Sequence, residues 1–295
     1  MLDGIDALTA LETFGTVSEA AARLRLTQSA VSKRLQALEA QVGFRLVEPQ
    51  GRRLRLTPRA IDFLDRARPL VSELRGLLKR GPGESSPASL SLALSDSIAS
   101  SFGPRVVRSV IGELPDVTVE MHAHRSVLVV ESVRLGRYDV GFCTELASAR
   151  DLVQHPLYDE PLVFVNAELA PAVDRRRPLI IIEPTSATFR AVHGALSSSH
   201  PELLSSNVVA VESFGAVLSM VREGFGNGVL PLGLALDARL PARSLRSLPG
   251  IARRLSLSTR KTLALSPPFV TFRDTLARAV VADFAHRARE RLRPL

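Results

Sequence analysis

The stretch SEAAARLRLTQSAVSKRLQALEAQV, residues 18–42, limits the fold more than any other part of the chain. Val31, Leu35, Leu38 and Val42 fall at i, i+4, i+7 and i+11, one apolar stripe of an α-helix. Ser29, Ser32, Lys33 and Gln36 form another stripe of the same helix. Thr27 stands just ahead, where its hydroxyl can accept from the first-turn N–H groups as an N-cap. Ser18 is placed to cap a shorter helix carrying Ala20, Ala21 and Leu24, whose alanines let a second helix approach closely. A helix broken at Leu26-Thr27 and restarted at once is a helix-turn-helix. A recognition helix enters the major groove N-terminus first. Gln28 then suits adenine, Lys33 suits guanine or phosphate, and Ser29 and Ser32 are short enough for close approach. An ordinary amphipathic hairpin with a solvated face shows the same stripes, so spacing alone leaves both readings open.

Charge leans toward the first reading. Residues 1–80 hold 14 Lys and Arg against 9 Asp and Glu, a net of +5 out of +8 for the 295-residue chain. Such concentration points to a polyanion partner, although a solvated basic face gives the same count. After Gly43 comes FRLVEPQGRRLRLTPR, where Leu54 and Leu56 alternate with Arg53 and Arg55 and Gly51 supplies a turn. Arg52, Arg53, Arg55 and Arg59 cluster on this hairpin, placed to hold phosphates or enter a minor groove as a wing.

In these residues the chain resembles the LysR-type transcriptional regulators. The shared pattern is Ala20-Ala21, Leu24, Thr27-Gln28, Ala30-Val31-Ser32, Leu38-Glu39, Gly43, Leu46 and Leu56-Thr57, in order and spacing. Ser29 stands where proline is usual, Lys33 where arginine is common, and Val47 and Pro49 replace a phenylalanine and an arginine. The resemblance implies DNA contacts from Thr27, Gln28, Ser29, Ser32, Lys33, Gln36, Arg52 and Arg53. It also implies an interrupted palindromic operator and a homodimer or homotetramer.

Residues 59–80 read as a linker helix. Ala60, Leu64, Ala67, Val71, Leu74 and Leu78 are spaced 4, 3, 4, 3, 4, a heptad seam for pairing with another helix, or for packing on its own domain. Pro69 predicts a kink near Asp65 or Arg66. The Gly/Pro/Ser-rich residues 81–88 read as a hinge between a winged helix-turn-helix domain (1–58) and a larger domain (89–295).

The larger part alternates strand-like and helix-like segments, an α/β pattern with mainly parallel strands. Expected strands begin with Leu90, Leu92 and Leu94 and continue through 117–123, 139–143, 162–165, 179–183, 208–211 and 228–231 to TLALS at 262–266. Residues 129–142 and 217–231 extend the LysR resemblance. It implies a periplasmic-binding-protein-like fold with lobe one at about 89–161 and 264–295 and lobe two at about 162–263. It further implies a cleft for a small polar or anionic effector, lined by Ser95, Ser97, Ser126, Thr144 and Thr188. Helix starts at Ser97, Ser126 and Thr188 would add N–H groups there.

Enzymatic signals are weak. GFGNG at 224–228 follows a helix and precedes a strand, the reverse of the order a dinucleotide loop needs, so it reads as a helix cap and turn. His122 and His124 share a strand face without a third metal ligand, and no G-x-S-x-G elbow is present. Arg175 to Arg177 read as a solvated loop. No catalytic residue, metal or cofactor is expected. The single cysteine, Cys143, excludes an internal disulfide and reads as inert packing. With no secretory signal and no apolar run near the roughly 18 residues a bilayer requires, a cytoplasmic protein is expected. The competing expectation is a small-molecule binding protein or enzyme whose basic N-terminal domain makes protein contacts.

Overall fold

Three helices open the chain: α1 (Leu2–Phe14), α2 (Val17–Leu24) and α3 (Gln28–Val42). They belong to a computed structural model that describes residues 1–50, 53–79, 88–170, 172, 174, 176–204 and 207–291. The chain divides into two compact units, the first made essentially of residues 1–84 and the second of 85–134 and 138–295.

In the first unit Ile5, Leu8 and Leu11 of α1 pack with Val31, Leu35 and Leu38 of α3. Each such side chain, taken from water, favours the fold by roughly 1.5–3 kcal/mol. Gly4 permits this approach, because a Cβ there would lie 2.8 Å from Leu38 Cβ. Helix α2 is capped by Thr16, two residues before Ser18: the Thr16 hydroxyl accepts from Glu19 N–H at 3.2 Å and donates to the Glu19 carboxylate. Thr27 caps α3 as expected, accepting from Ala30 N–H at 3.2 Å. Gly43, at φ 78°, ends α3.

The wing is a hairpin of β1 (Val47–Gln50) and β2 (Arg53–Leu56), with Gln50 opposite Arg53. Glu39 Oε1 accepts from Leu46 N–H at 2.7 Å and so fixes the wing to the end of α3. Helix α4 (Pro58–Lys79) follows and is continuous through Pro69 and through Asp65 and Arg66, where the sequence predicts a kink. Arg68 pairs there with Asp65 and with Glu12 of α1, which ties the helix down just before the proline. The seam is also corrected in part. Ala60, Leu64, Ala67 and Val71 are buried in the core of their own unit, whereas Leu74 is exposed and the Leu78 side chain lies outside the described residues. The hinge expected at 81–88 falls almost wholly outside them as well.

The second unit begins with β3 (Ala88–Ser95), α5 (Asp96–Ala99), α6 (Gly103–Glu113), β4 (Val117–His124), α7 (Ser126–Arg134) and β5 (Val140–Thr144). Strand β6 (Val153–Val165) leads to β7 (Leu179–Ile182), α8 (Ala187–Ser199), α9 (Pro201–Leu204), β8 (Val208–Val211), α10 (Phe214–Arg222), β9 (Asn227–Pro231) and α11 (Leu232–Asp237). The chain returns through β10 (Leu245–Thr259), then α12 (Lys261–Ala264) and α13 (Pro267–Arg291).

One sheet runs in the order β4-β3-β5-β10-β6-β9-β7-β8. Strand β3 is parallel to β4 and β5, and β7 is parallel to β8 and β9. These groups form two lobes, joined by β6 and β10, which pair antiparallel with each other and with β9 and β5 respectively. The sheet is therefore mixed rather than mainly parallel. Each lobe has its own core, built around Phe102, Phe142, Phe272 and Phe284 in lobe one and Val163, Ile180, Val217 and Leu230 in lobe two.

The expected strand TLALS is helical at its start, and Leu265 is exposed. The return strand is already complete at Thr259. Arg260 then donates to the carbonyls of Val133 and Tyr138, turning the chain, and Pro267 opens α13.

Candidate DNA-binding face and interlobe cleft

On α3 the structure separates anchor from display. Val31, Leu35 and Leu38 are buried; Thr27, Gln28, Ser29, Lys33 and Gln36 are exposed, and Ser32 is half-buried. Thr27 has a structural duty as the cap and also shares a hydrogen bond with Ser29 at 3.0 Å. Gln28 donates to Ser18 across the turn at 3.3 Å, which orients its amide at the helix start. Arg55 and Arg59 are exposed, the latter with its guanidinium 5.9 Å from the Phe44 ring centroid. Arg52 lies outside the described residues, as does the Arg53 side chain.

In the second unit, helices begin where the parallel strands end, and these junctions from both lobes line one cleft. Ser95, Ser97 and Ser126 come from lobe one, and Thr188, Ser213 and Phe214 from lobe two. The cavity among them measures about 50 Å³. Thr144 lies deeper, buried, and shares a hydrogen bond with Thr188 at 3.0 Å. The five expected effector residues are thus brought to one region, with corrections to their local roles. Ser95, not Ser97, stands at the cap position of α5, and Ser186, not Thr188, caps α8 by accepting from Phe189 N–H at 3.0 Å. The Ser95 hydroxyl is buried and has no hydrogen-bond partner among the described residues.

Sequence reasoning missed the charged floor of this cleft. Arg253 is 1% exposed and Glu160 fully buried. Arg253 Nε donates to Glu160 Oε2 at 2.8 Å, while Nη2 makes an ion-pair contact at 2.7 Å. Arg253 Nη1 donates to Ser97 at 2.8 Å and to Thr188 at 3.2 Å, so one guanidinium touches both lobes. Glu160 Oε1 accepts from Gly233 N–H at 2.8 Å. A Cβ at Gly233 would lie 2.8 Å from both Glu160 Oε1 and Phe102 Cδ1, so this approach requires glycine. At the cleft wall Arg125 of lobe one pairs with Glu183 and, at 3.7 Å, with Glu212 of lobe two.

The remaining signals resolve as structure. Gly224, at φ 75°, closes the turn after α10. His122 pairs with Glu120 at 3.1 Å, and His124 shares a hydrogen bond with Tyr138 at 2.8 Å. Among the described residues, no group of three metal-ligating side chains forms. Arg177 is not merely solvated: it donates to Glu168 at 2.8 Å and to the Gly224 carbonyl. Burial pushes the Cys143 thiol up to about 12, against the opposing pull of Arg253. No helix among the described residues is long and apolar enough to cross a membrane.

Comparison with known proteins agrees with this geometry. Residues 2–61 match the bacterial regulatory helix-turn-helix proteins of the lysR family, and residues 83–280 match the LysR substrate binding domain. The HTH-type transcriptional regulator YfeR of Shigella flexneri is 28% identical over 278 residues, 88% of this chain and 89% of that one. A probable hydrogen peroxide-inducible genes activator of Mycobacterium leprae is 24% identical over 285 residues, 90% of each. A full-length OxyR variant from Pseudomonas aeruginosa shares the fold at TM-score 0.70 and 18% identity, over 95% of this chain and 94% of that one. With a recognition helix and wing in one unit and a two-lobed substrate-binding domain in the other, this chain belongs to the LysR family of DNA-binding transcriptional regulators.

Proposed function

We propose that this regulator senses a small polar molecule bearing a carboxylate, held between the two lobes by Ser95, Ser97, Ser126 and Thr188. The observation that carries the reading is convergence. Hydroxyls and the N-terminal turns of α7 and α8 reach one cavity from opposite lobes, and the buried Ser95 hydroxyl there lacks a partner among the described residues. Helix N-terminal N–H groups favour a carboxylate. The operator is read by Gln28, Ser29, Ser32, Lys33 and Gln36, with the wing arginines, Arg52 and Arg53 among them, on phosphates. Binding occurs as a homodimer or homotetramer on an interrupted palindrome, in the cytoplasm and without catalysis. Effector binding alters lobe closure and couples to the operator by roughly 1–3 kcal/mol.

The experiment begins with native mass spectrometry or a thermal-shift screen of organic acids. Calorimetry with a hit should then show weaker binding to Ser97→Ala and Ser126→Ala, with ligand-free DNA binding nearly intact. Wild-type affinity in both variants would move the effector site elsewhere. A cysteine-based peroxide response does not suit this chain, because its one thiol is buried and held protonated.

A further inference from the structure

The charges around the cleft do not match a simple anion. Arg253 is neutralised by Glu160 at the floor, and Arg125 is engaged by Glu183. That leaves two more carboxylates on the lining, Asp96 from lobe one and Glu212 from lobe two. Asp96 is exposed, and among the described residues Glu212 makes a 3.7 Å contact to the already paired Arg125 and is itself 78% exposed. With all six groups ionised, two arginines face four carboxylates. A ligand contributing only a negative charge would deepen that imbalance; Asp96 and Glu212 are exposed, so solvent screens the repulsion, but at distances within a Debye length it still disfavours a bare anion. The opposite chemistry sits beside it: the unpartnered buried Ser95 hydroxyl, Ser126, and the first turns of α7 and α8. The lining therefore has an anion-accepting pole and a cation-accepting pole within one cavity.

We infer that the effector is a zwitterion, with a carboxylate on the hydroxyl and helix-start pole and an ammonium or similar cation on the Asp96 and Glu212 pole. This deepens the cleft reading and rests on it. A small α-amino acid or a close derivative has the required chemistry, with its two charges separated by a single carbon. The carboxylate accepts from the Ser95 and Ser126 hydroxyls, and the cation offsets the surplus of acid.

The test uses full-length protein and matched probes. Each proteinogenic L-amino acid is compared in thermal shift and calorimetry with its des-amino carboxylic acid and its decarboxylated amine. The expected result is one or more sets in which the amino acid binds at least tenfold more tightly than either relative. Asp96→Asn combined with Glu212→Gln should cut that preference over the des-amino acid to threefold or less, while Ser97→Ala weakens both probes alike. A des-amino acid that binds as tightly as its amino acid overturns the zwitterion and leaves the cleft reading standing. An amino acid whose affinity ignores Ser97→Ala and Ser126→Ala as well as the acid pair overturns both. Absence of binding by every probe overturns the zwitterion assignment, and the cleft reading is then judged separately, on the two serine variants and any ligand found by native mass spectrometry.

Discussion

Arg253→Met tests whether one buried guanidinium organises the effector domain. The substitution keeps much of the side-chain volume and removes the charge. Glu160 Oε2 is then left without its two guanidinium nitrogens, at 2.8 and 2.7 Å, while the Gly233 N–H remains on the other oxygen. Ser97 loses its 2.8 Å donor, whereas Thr188 keeps Thr144. Breaking one side of a buried ion pair costs about 3–5 kcal/mol, because the remaining carboxylate has no water to return to. For a unit of this size that corresponds to a fall in melting temperature of roughly 6–20 °C. Arg253→Met with Glu160→Gln should recover most of the loss, since the glutamine carbonyl still accepts from Gly233 and no buried charge is stranded. Arg253→Lys should fall between, as an ammonium cannot span Glu160, Ser97 and Thr188 in the fixed fork geometry. Urea unfolding followed by far-UV circular dichroism reads all three, taking the transition of the second unit. A loss under about 1 kcal/mol in Arg253→Met, or a double variant as unstable as the sum of the singles, would show that the two side chains do not depend on each other as a buried ion pair must.

Four further outcomes are expected. Ser32→Ala with Lys33→Ala should weaken specific operator binding by about 1–3 kcal/mol for each well-made bond to a base edge that is removed, and an unchanged gel shift would rule out α3 as the reading helix. Leu74→Arg should weaken self-association: Ile61, Leu70 and Leu74 stay exposed on α4 beside an apolar groove of about 740 Å³, and sedimentation showing a wild-type association constant would place the dimer seam elsewhere. Native Cys143 should resist both peroxide and a thiol-reactive disulfide reagent at pH 7–8 and react only once urea unfolds the chain, because its thiol titrates at about 12. Asp283→Asn should cost about 1–3 kcal/mol at neutral pH. Burial alone would raise the Asp283 carboxyl, but hydrogen bonds from Arg105 and Arg287 hold it below its ordinary 3.8, so this contribution is complete above that value and disappears as pH falls through the lower folded one. Melting curves of the two proteins should therefore converge in acid.

The parts read well from sequence are those whose causes are local. The restart of a helix at Gln28 is dictated by the Thr27 cap and by aliphatics three and four residues apart, all within a few turns. The heptad count on α4 is equally local, but it cannot say which partner covers the stripe. Four of its positions, from Ala60 to Val71, are buried at home in the core shared with α1 and α3, and the later Leu74 is left outward. Strand β10 failed for the opposite reason, since its identity depends on strands about a hundred residues away. Its inward parity runs through Ile251, Arg253, Leu255 and Leu257, and an arginine in that row argues against a buried strand.

A signal for it does exist in the sequence. Asp159-Glu160 and Arg253-Arg254 are complementary dipeptides, and antiparallel register sets Glu160 against Arg253 and Asp159 against Arg254. The sheet's alternation then gives the two pairs different fates. Arg254 and Asp159 meet at 2.9 Å on the outer face, where both remain more than half exposed and contribute little. Arg253 and Glu160 meet on the inner face, at the floor of the cleft. A one-residue slip of β10 would bury Arg254 instead, carry Ile251 to the exposed face, and exchange the core positions of Leu255 and Leu257 with those of the buried Ser256 and Ser258. The aliphatic row therefore fixes the register, and the register delivers the guanidinium that bonds Ser97 in one lobe and Thr188 in the other. The residue that tethers the lobes is thus positioned by the same strand alternation that builds the core beneath it.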